Sequence, residues 1–245
     1  MRKAALNTAV LVLAMSANMT AAAISGTFTF NGSVTVTQNN ILWMSNTGVS
    51  DKAGIAATGL SGNFIGLGGT NLSILDLNRA TEPVGAPFPE QNFMSFDAAP
   101  GLGNLMITFI ALGSFSSAQC FLAPAPGQSC TLSSAQVPGG SPFMFTNTSS
   151  NGTTVDGSSA TWTMRGVTAD HQTTWSGVWT SQFNTSYQTV LASFFGPGGS
   201  VTNSYSASVV LPAPGIAAVP EPGTWTLLGT GLMLLCAGLA RFKKS

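Results

Sequence analysis

The stretch ISGTFTFNGSVTVT, residues 24–37, alternates without a break: Phe28, Phe30, Val34 and Val36 fall on one parity, and Thr27, Thr29, Ser33 and Thr35 on the other. Successive side chains of an extended chain point to opposite faces, so this is the pattern of a half-buried strand with one apolar and one hydroxyl-bearing face. Asn31-Gly32 is a preferred hairpin dipeptide, but the apolar parity runs straight through it. One long strand with a bulge or bend at Gly32 is therefore expected.

Working outward, short apolar runs separated by turn residues recur along the chain. ILWM (41–44), FIGLGG and LSILDL (within 64–77), NFMSF (92–96), PFMF (142–145), SYQTVLASFF (186–195) and SYSASVVL (204–211) read as further strands. LMITFIALGSF (105–115) reads as a strand buried on both faces, given its β-branched and aromatic content. TEPVGAPFPE (81–90) is a loop, because Pro83, Pro87 and Pro89 each lack a backbone donor. In SATWTMRGVTADHQTTWSGVWTSQF (159–183), Trp162 and Met164 share one parity, and Trp175, Gly177 and Trp179 another, with a polar 169–174 stretch between. A hairpin turns both rows toward one core. Ten to twelve short strands, no helical period and no fixed-length repeat predict an all-β domain over residues 24–211, an antiparallel β-sandwich or jelly roll.

Composition narrows the function. Charged residues are 7% of the 245-residue chain, against about 25% in an ordinary soluble domain. Ser, Thr, Asn and Gly take their place, which suits an extracellular β protein. Residues 24–219 hold three bases (Lys52, Arg79, Arg165) against seven acids (Asp51, Asp76, Glu82, Glu90, Asp97, Asp156, Asp170). That stretch has no basic stripe, and nucleic acid is excluded as a partner because phosphate recognition needs clustered Lys and Arg.

The start, MRKAALNTAVLVLAMSANMTAAA, has Arg2 and Lys3, a short apolar run at 9–15 and small residues at Ala21 and Ala23. It reads as a signal peptide over residues 1–23, too short in its apolar part to span a bilayer. Export makes Cys120 and Cys130, in CFLAPAPGQSC, an expected disulfide. A loop that short gains at most ~3 kcal/mol from closure, so the bridge pins a local loop and does not hold the fold together. Cys236 lies apart, in the C-terminal apolar run.

Chemistry-bearing constellations are sparse. His171 is the single histidine; Asp170 beside it points to the opposite face of an extended chain, so a polar hairpin tip is expected there and not a catalytic triad. No G-x-S-x-G or H-E-x-x-H is present. No spacing selects a glycosidase carboxylate pair from the seven acids, and no loop carries alternating acids for a cation. No catalytic residue, metal site or cofactor is assigned, and no enzymatic role is expected. Trp162, Trp175 and Trp179 are candidates for stacking on sugar if exposed, although alternating tryptophans on strands are more often core.

The end of the chain is PAPGIAAVPEPGTWTLLGTGLMLLCAGLARFKKS, from 212 to 245. A Pro/Gly linker over 212–222 holds the domain away from the apolar segment beyond it. Residues 223–240 are apolar or small and uncharged, about 27 Å as a helix, and form the expected membrane-spanning part of a C-terminal segment over 223–245. Arg241, Lys243 and Lys244 come next and place that end in the cytoplasm. A Pro-Glu-Pro triplet (Pro220, Glu221, Pro222), an apolar span and a basic cluster, in that order behind a signal peptide, resemble the sorting signal of the PEP-CTERM proteins. Gly223-Thr224 departs from the more usual Ser-Thr after the triplet. The body, from ISGTFTFNGS to SYSASVV, also resembles exported β-rich domains that accompany this tail in Gram-negative bacteria, which brings no known activity.

The resemblance implies that exosortase, a membrane-embedded sorting enzyme, recognises the tail and cleaves near Pro220-Glu221-Pro222, the chain being its substrate. It further implies transient anchoring in the inner membrane, then delivery to the cell surface or extracellular space. A structural or adhesive role in the extracellular matrix, as in a biofilm, is the leading expectation, with extracellular polysaccharide as a partner. A lectin-like carbohydrate-binding module and a secreted hydrolase are the alternatives. Exposed Trp162, Trp175 or Trp179 in a groove marks the first, and converging carboxylates in a cleft mark the second.

Overall fold

A computed structural model describes residues 23–213. The leader expected over 1–23 lies outside that range but for its last residue; so do the linker beyond residue 213 and the membrane segment expected at 223–245. Twelve strands and one helix occur in the order β1 Gly26–Thr37, β2 Asn40–Met44, β3 Lys52–Ile55, β4 Asn71–Ile74, β5 Leu77–Asn78, β6 Gln91–Phe96, β7 Leu105–Ile110, β8 Ser129–Cys130, β9 Met144–Thr148, β10 Gly157–Thr168, β11 Thr174–Phe183, α1 Tyr187–Phe195 and β12 Ser200–Leu211.

The all-β expectation holds, but the sheet is a barrel and not a sandwich or jelly roll. Pairing runs β11-β12-β1-β3-β4-β6-β7-β10, and β10 pairs back onto β11, so eight strands close a ring. Every pairing between named strands is antiparallel. Period-two alternation fixes an inside and an outside, and these exist equally in a sandwich and a barrel. Closure is decided by β11, which spends both its edges.

The strand that opens the domain explains the branching. β1 faces β12 in unbroken register from Gly26 opposite Leu211 to Thr37 opposite Ser200, so no bulge interrupts it on that side. On its other edge the partner changes at Gly32: Phe30 and Asn31 pair with β3, whereas Ser33 to Val36 pair with β2. A Cβ on Gly32 would lie 2.5 Å from the Met44 carbonyl oxygen. The glycine thus permits β2 to close in where β3 leaves. β10 divides likewise, Gly157 to Thr161 pairing with β9 and Met164 to Thr168 with β7. Register shifts beside Thr108 in β7 and Phe93 in β6 supply the bends that a small closed barrel requires.

An eight-stranded barrel is just wide enough to be filled by its own side chains. Here Phe28, Phe30, Leu72, Met94, Ile107, Met164 and Val209 are buried in it together with four tryptophans. The β10–β11 hairpin forms as expected, with Trp162 opposite Trp179 and Met164 opposite Gly177. Gly177 makes room for a ring, since a Cβ there would lie 2.6 Å from Trp179. The outward row of β1 remains Thr27, Thr29, Asn31, Ser33 and Thr35, the reverse of the apolar outer band of a lipid-embedded barrel. No helix among the described residues is long and apolar enough to cross a membrane.

Three expected strands differ. SYQTVLASFF is α1: Ser186 caps it by accepting from the Thr189 amide, and Tyr187, Val190, Leu191 and Phe194 are buried at helical spacing. FIGLGG forms a 3-10 turn and bends, with Ile65 exposed. β7 is covered on one face only, and Leu112 and Phe115 beyond it are exposed. α1 packs with Leu132, Val137, Phe145 and the cysteines into a second, smaller core. This lobe sits at the Thr37, Phe183 and Ser200 end of the barrel. Gly26 and Leu211, where the described chain enters and leaves, pair at the other end.

Candidate functional site

Where the α1 lobe meets the barrel, the two cores do not merge. A narrow cleft of about 50 Å³, open to solvent, lies between them, lined by Val34 and Val36 of β1, Ala160 and Trp162 of β10, Val201 of β12, and Val190, Leu191 and Phe194 of α1. The walls are made by β1, β10 and β12 at the lobe end of the barrel and by α1, which packs against β9, β10 and β12.

The lobe is fixed by a disulfide and a polar network. Cys120 and Cys130 are bonded, with Cα atoms 5.2 Å apart, and both are fully buried. The bridge expected from sequence is present, and it belongs to the small core and not to the barrel. Tyr187 Oη donates to the Gln119 carbonyl at 3.0 Å, and the Tyr187 amide donates to Asn147 Oδ1 at 2.9 Å. Asn147 Nδ2 in turn donates to Gln188 Oε1 at 3.1 Å, so the first turn of α1 is tied to β9. Burial raises the Tyr187 phenol above its ordinary pKa.

One residue in the cleft is charged. Arg79, just after β5, lines it, and no Asp or Glu does. Its amide donates to the Asn39 carbonyl at 2.8 Å, and its Nη1 donates to the Pro138 carbonyl, bridging the β2–β5 ledge to the 133–141 loop. Desolvation by burial lowers its pKa, but a guanidinium stays protonated under all ordinary conditions. The domain's other two bases are differently placed. Lys52 Nζ is 2.7 Å from Asp97 Oδ2, and Arg165 lies over the Phe109 ring, 4.1 Å from its centroid. Among the described residues, no carboxylate lies within 4.0 Å of the Arg79 guanidinium. Glu82, in an adjoining recess that Arg79 also lines, instead accepts from the Asn78 amide at 2.8 Å. Arg79 had no local sequence signal beyond being one of three bases, because its setting is made by segments about forty or more residues away, Asn39 and Pro138 among them.

The remaining candidates lie elsewhere in the fold. Trp162, Trp175 and Trp179 are 1%, 2% and 0% exposed. They offer no face to a sugar, which corrects their reading as stacking platforms; only Trp162 reaches the cleft wall. Trp175 Nε1 donates to the Met106 carbonyl at 2.9 Å, and its ring stacks on Phe93. His171 is at the exposed tip between β10 and β11, with left-handed backbone (φ 57°) and Nδ1 3.5 Å from Glu90 Oε1. Asp170 turns to Thr168 Oγ1 and the Gln172 amide, hydrogen bonds that hold its carboxyl below the usual range. The structure does bring two acids together. Asp76 accepts from the Trp43 amide at 2.7 Å beside Asp51, and its pKa is raised, by burial first and by Asp51 in addition. Among the described residues no group of three or more His, Cys, Asp or Glu converges as a metal site.

The sorting triplet Pro220, Glu221, Pro222 and the basic Arg241, Lys243 and Lys244 lie outside the described residues. Comparison with known families bears on them directly: a family model described as the PEP-CTERM protein-sorting motif matches residues 218–244. The chain carries a PEP-CTERM sorting signal. The match spans the triplet, the apolar run and the three bases, in the order the sequence displays. A PEP-CTERM signal implies export, processing by exosortase and sorting to the cell surface. No curated protein and no solved structure matches the chain.

Proposed function

We propose that this is a non-catalytic surface or extracellular-matrix protein, whose barrel is the cargo and whose C-terminal segment is the handle cut by exosortase. The sorting motif at 218–244 carries the reading. A structural or adhesive role suits a barrel with a packed aromatic interior and a threonine- and serine-rich exterior. Hydroxyl rows of that kind make hydrogen bonds to polysaccharide without depending on charge, and extracellular polysaccharide is the proposed contact. The prolines keep the cleavage segment extended and unhelical, a form a protease cleft accepts. Membrane anchoring before cleavage falls to the apolar segment at 223–240, with the bases as its cytoplasmic stop.

Alanines in place of Pro220, Glu221 and Pro222 test the sorting half. The expected result is an exported chain of unprocessed size that stays with the membrane fraction. Processing and release at the wild-type level refute the triplet as the recognition element. Co-sedimentation of the processed protein with extracellular polysaccharide tests the adhesive half.

A further inference from the structure

A second recess is larger than the cleft beside α1 and differently lined. It encloses about 320 Å³ and is open to solvent, bounded by the segment before β3, by β4 and the turn after it, and by β6. Asp51, Ser73, Asp76, Asn92 and Ser95 line it, with Leu75, 38% exposed, beside them. That volume lies at the lower end of small-ligand sites. The backbone fixes the polar groups in place. The Asp51 amide donates to the Trp43 carbonyl at 2.9 Å, and the Asp51 carbonyl accepts from the Ile74 amide at 3.0 Å, with Asp51 in left-handed backbone (φ 56°). Asp76 Oδ1 accepts from the Trp43 amide at 2.7 Å. Ser73 and Ser95 are partners across β4 and β6, and Ser73 Oγ is committed to Asp97 and Lys52, at 2.9 and 2.7 Å. Among the described residues, no Lys, Arg or His lies within 4.0 Å of the Asp51 or Asp76 carboxylate. Ionised carboxyls only accept hydrogen bonds, so a ligand that fills this recess must be rich in donors.

We propose that this recess binds a neutral hexose unit of a polysaccharide, two adjacent sugar hydroxyls donating to Asp51 and Asp76. The inference rests on the polysaccharide contact proposed above and supplies a site for it. Hydroxyls donating to carboxylates form charge-assisted bonds, stronger than those between two hydroxyls. Asn92 and Ser95 each bring a donor and an acceptor for the remaining hydroxyls, and Leu75 offers an apolar edge to the C–H face of the ring. An acidic sugar would bring like charge to the pair. A metal ion is a poorer occupant, because calcium takes about six to eight oxygen ligands and among the described residues no three His, Cys, Asp or Glu converge. The pair is also unsuited to hydrolysis. Carboxyls that cleave a glycosidic bond flank it at about 5–9.5 Å from each other, whereas Asp51 and Asp76 are near enough for a side-chain hydrogen bond. They hold a sugar from one side and leave no room for it between them.

Calorimetric titration of the exported, processed protein with maltohexaose, cellohexaose and mannohexaose tests the site, alongside co-sedimentation with extracellular polysaccharide. At least one hexasaccharide is expected to saturate at one equivalent, with the same affinity at about 50 and about 500 mM NaCl because the ligand is uncharged. Asp76→Asn and Asp51→Asn are each expected to weaken it about tenfold, the difference between a charged and a neutral acceptor. Both substitutions suit the fold: an amide oxygen at position 76 still accepts from the Trp43 amide, and asparagine tolerates the left-handed backbone at position 51. Should Asp76→Asn fold poorly, Asp51→Asn carries the test alone. Asp156→Asn, at an acid that does not line the recess, is the control and is expected to bind as wild type. No saturable binding of any of the three, wild-type affinity in the recess variants, equal loss in the control, or binding that disappears when calcium is chelated would each overturn the proposal. Co-sedimentation that survives both recess substitutions overturns the site and leaves the adhesive reading standing. A wild-type protein that neither co-sediments nor binds a hexasaccharide overturns both.

Discussion

Replacing Gly166 by alanine should strain the barrel at one of its bends. Gly166 sits where the β10–β7 register shifts, and a Cβ there would lie 1.8 Å from the Met106 carbonyl oxygen and 2.8 Å from Trp175 Nε1. That oxygen is the acceptor for the Trp175 indole at 2.9 Å. The methyl group cannot be seated by rotating a flexible side chain, because the nearest obstacle is backbone. Two costs combine: about 1–3 kcal/mol for overpacking and about 1–3 kcal/mol for a buried indole N–H left without its acceptor. A central sum of about 3–5 kcal/mol corresponds to a fall in Tm of roughly 6–20 °C for a domain of this size. Urea unfolding followed by tryptophan fluorescence reads the loss, and Gly54→Ala is the control. At Gly54 the nearest atom to an added Cβ is Asn31 Oδ1 at 3.7 Å, an ordinary contact. The control is expected to be neutral or to stabilise by roughly 0.5–1 kcal/mol, since glycine in a strand interior carries an entropic penalty. Gly166→Ala within about 0.5 kcal/mol of wild type refutes the close approach on which closure is argued to depend.

The lobe and the acidic pair yield two further expected outcomes. Cys120→Ala with Cys130→Ala should cost at most ~3 kcal/mol in the loop-entropy account. Hydrogen exchange should show faster opening in 117–131 and α1 with the barrel strands β1, β11 and β12 unchanged; equal loss of protection in those strands contradicts a separate small core. Asp76 has a folded pKa above its ordinary 3.8, so the native state holds the proton more tightly and stability from this group falls as pH rises from that value through its raised pKa. Asp170 has the opposite sign, its contribution being present above the ordinary carboxylate pKa and lost as pH falls through its lowered one. Asp76→Asn should therefore gain stability relative to wild type as pH is raised from about 4 to about 6. A difference that stays flat across that range, in parallel thermal melts, removes burial of the carboxylate as the cause.

Most strand positions were legible in the sequence because each row of alternating residues has one apolar face. Phe28, Phe30 and Val34 pointed inward as read, and the Trp162–Trp179 hairpin formed with both apolar rows facing the core. What alternation does not encode is which edges meet: a sandwich and a barrel have the same inside. α1 was missed because SYQTVLASFF is apolar at Tyr187, Val190, Leu191 and Phe194 but also rich in residues that suit strands, and the cap at Ser186 resembles any turn serine. The sorting signal was readable because its parts are contiguous. The cleft was not, since Arg79, the 133–141 loop, α1 and β12 come together only after the ring has closed. Asp51 and Asp76 likewise become neighbours through β2, whose Trp43 exchanges backbone contacts with both.

A chain delivered to a surface crowded with copies of itself risks growing into fibres by strand addition, for which any long open sheet edge is a template. Among the described residues the ring leaves nothing of that kind. The pairing network ends at β5 and β8, each two residues long, Leu77–Asn78 and Ser129–Cys130. Copies can therefore be concentrated without templating one another through the backbone. On the adhesive role proposed above, cohesion comes from side chains on a hydroxyl-rich exterior, contacts that exchange readily and that salt, in a protein with so few charges, does little to weaken.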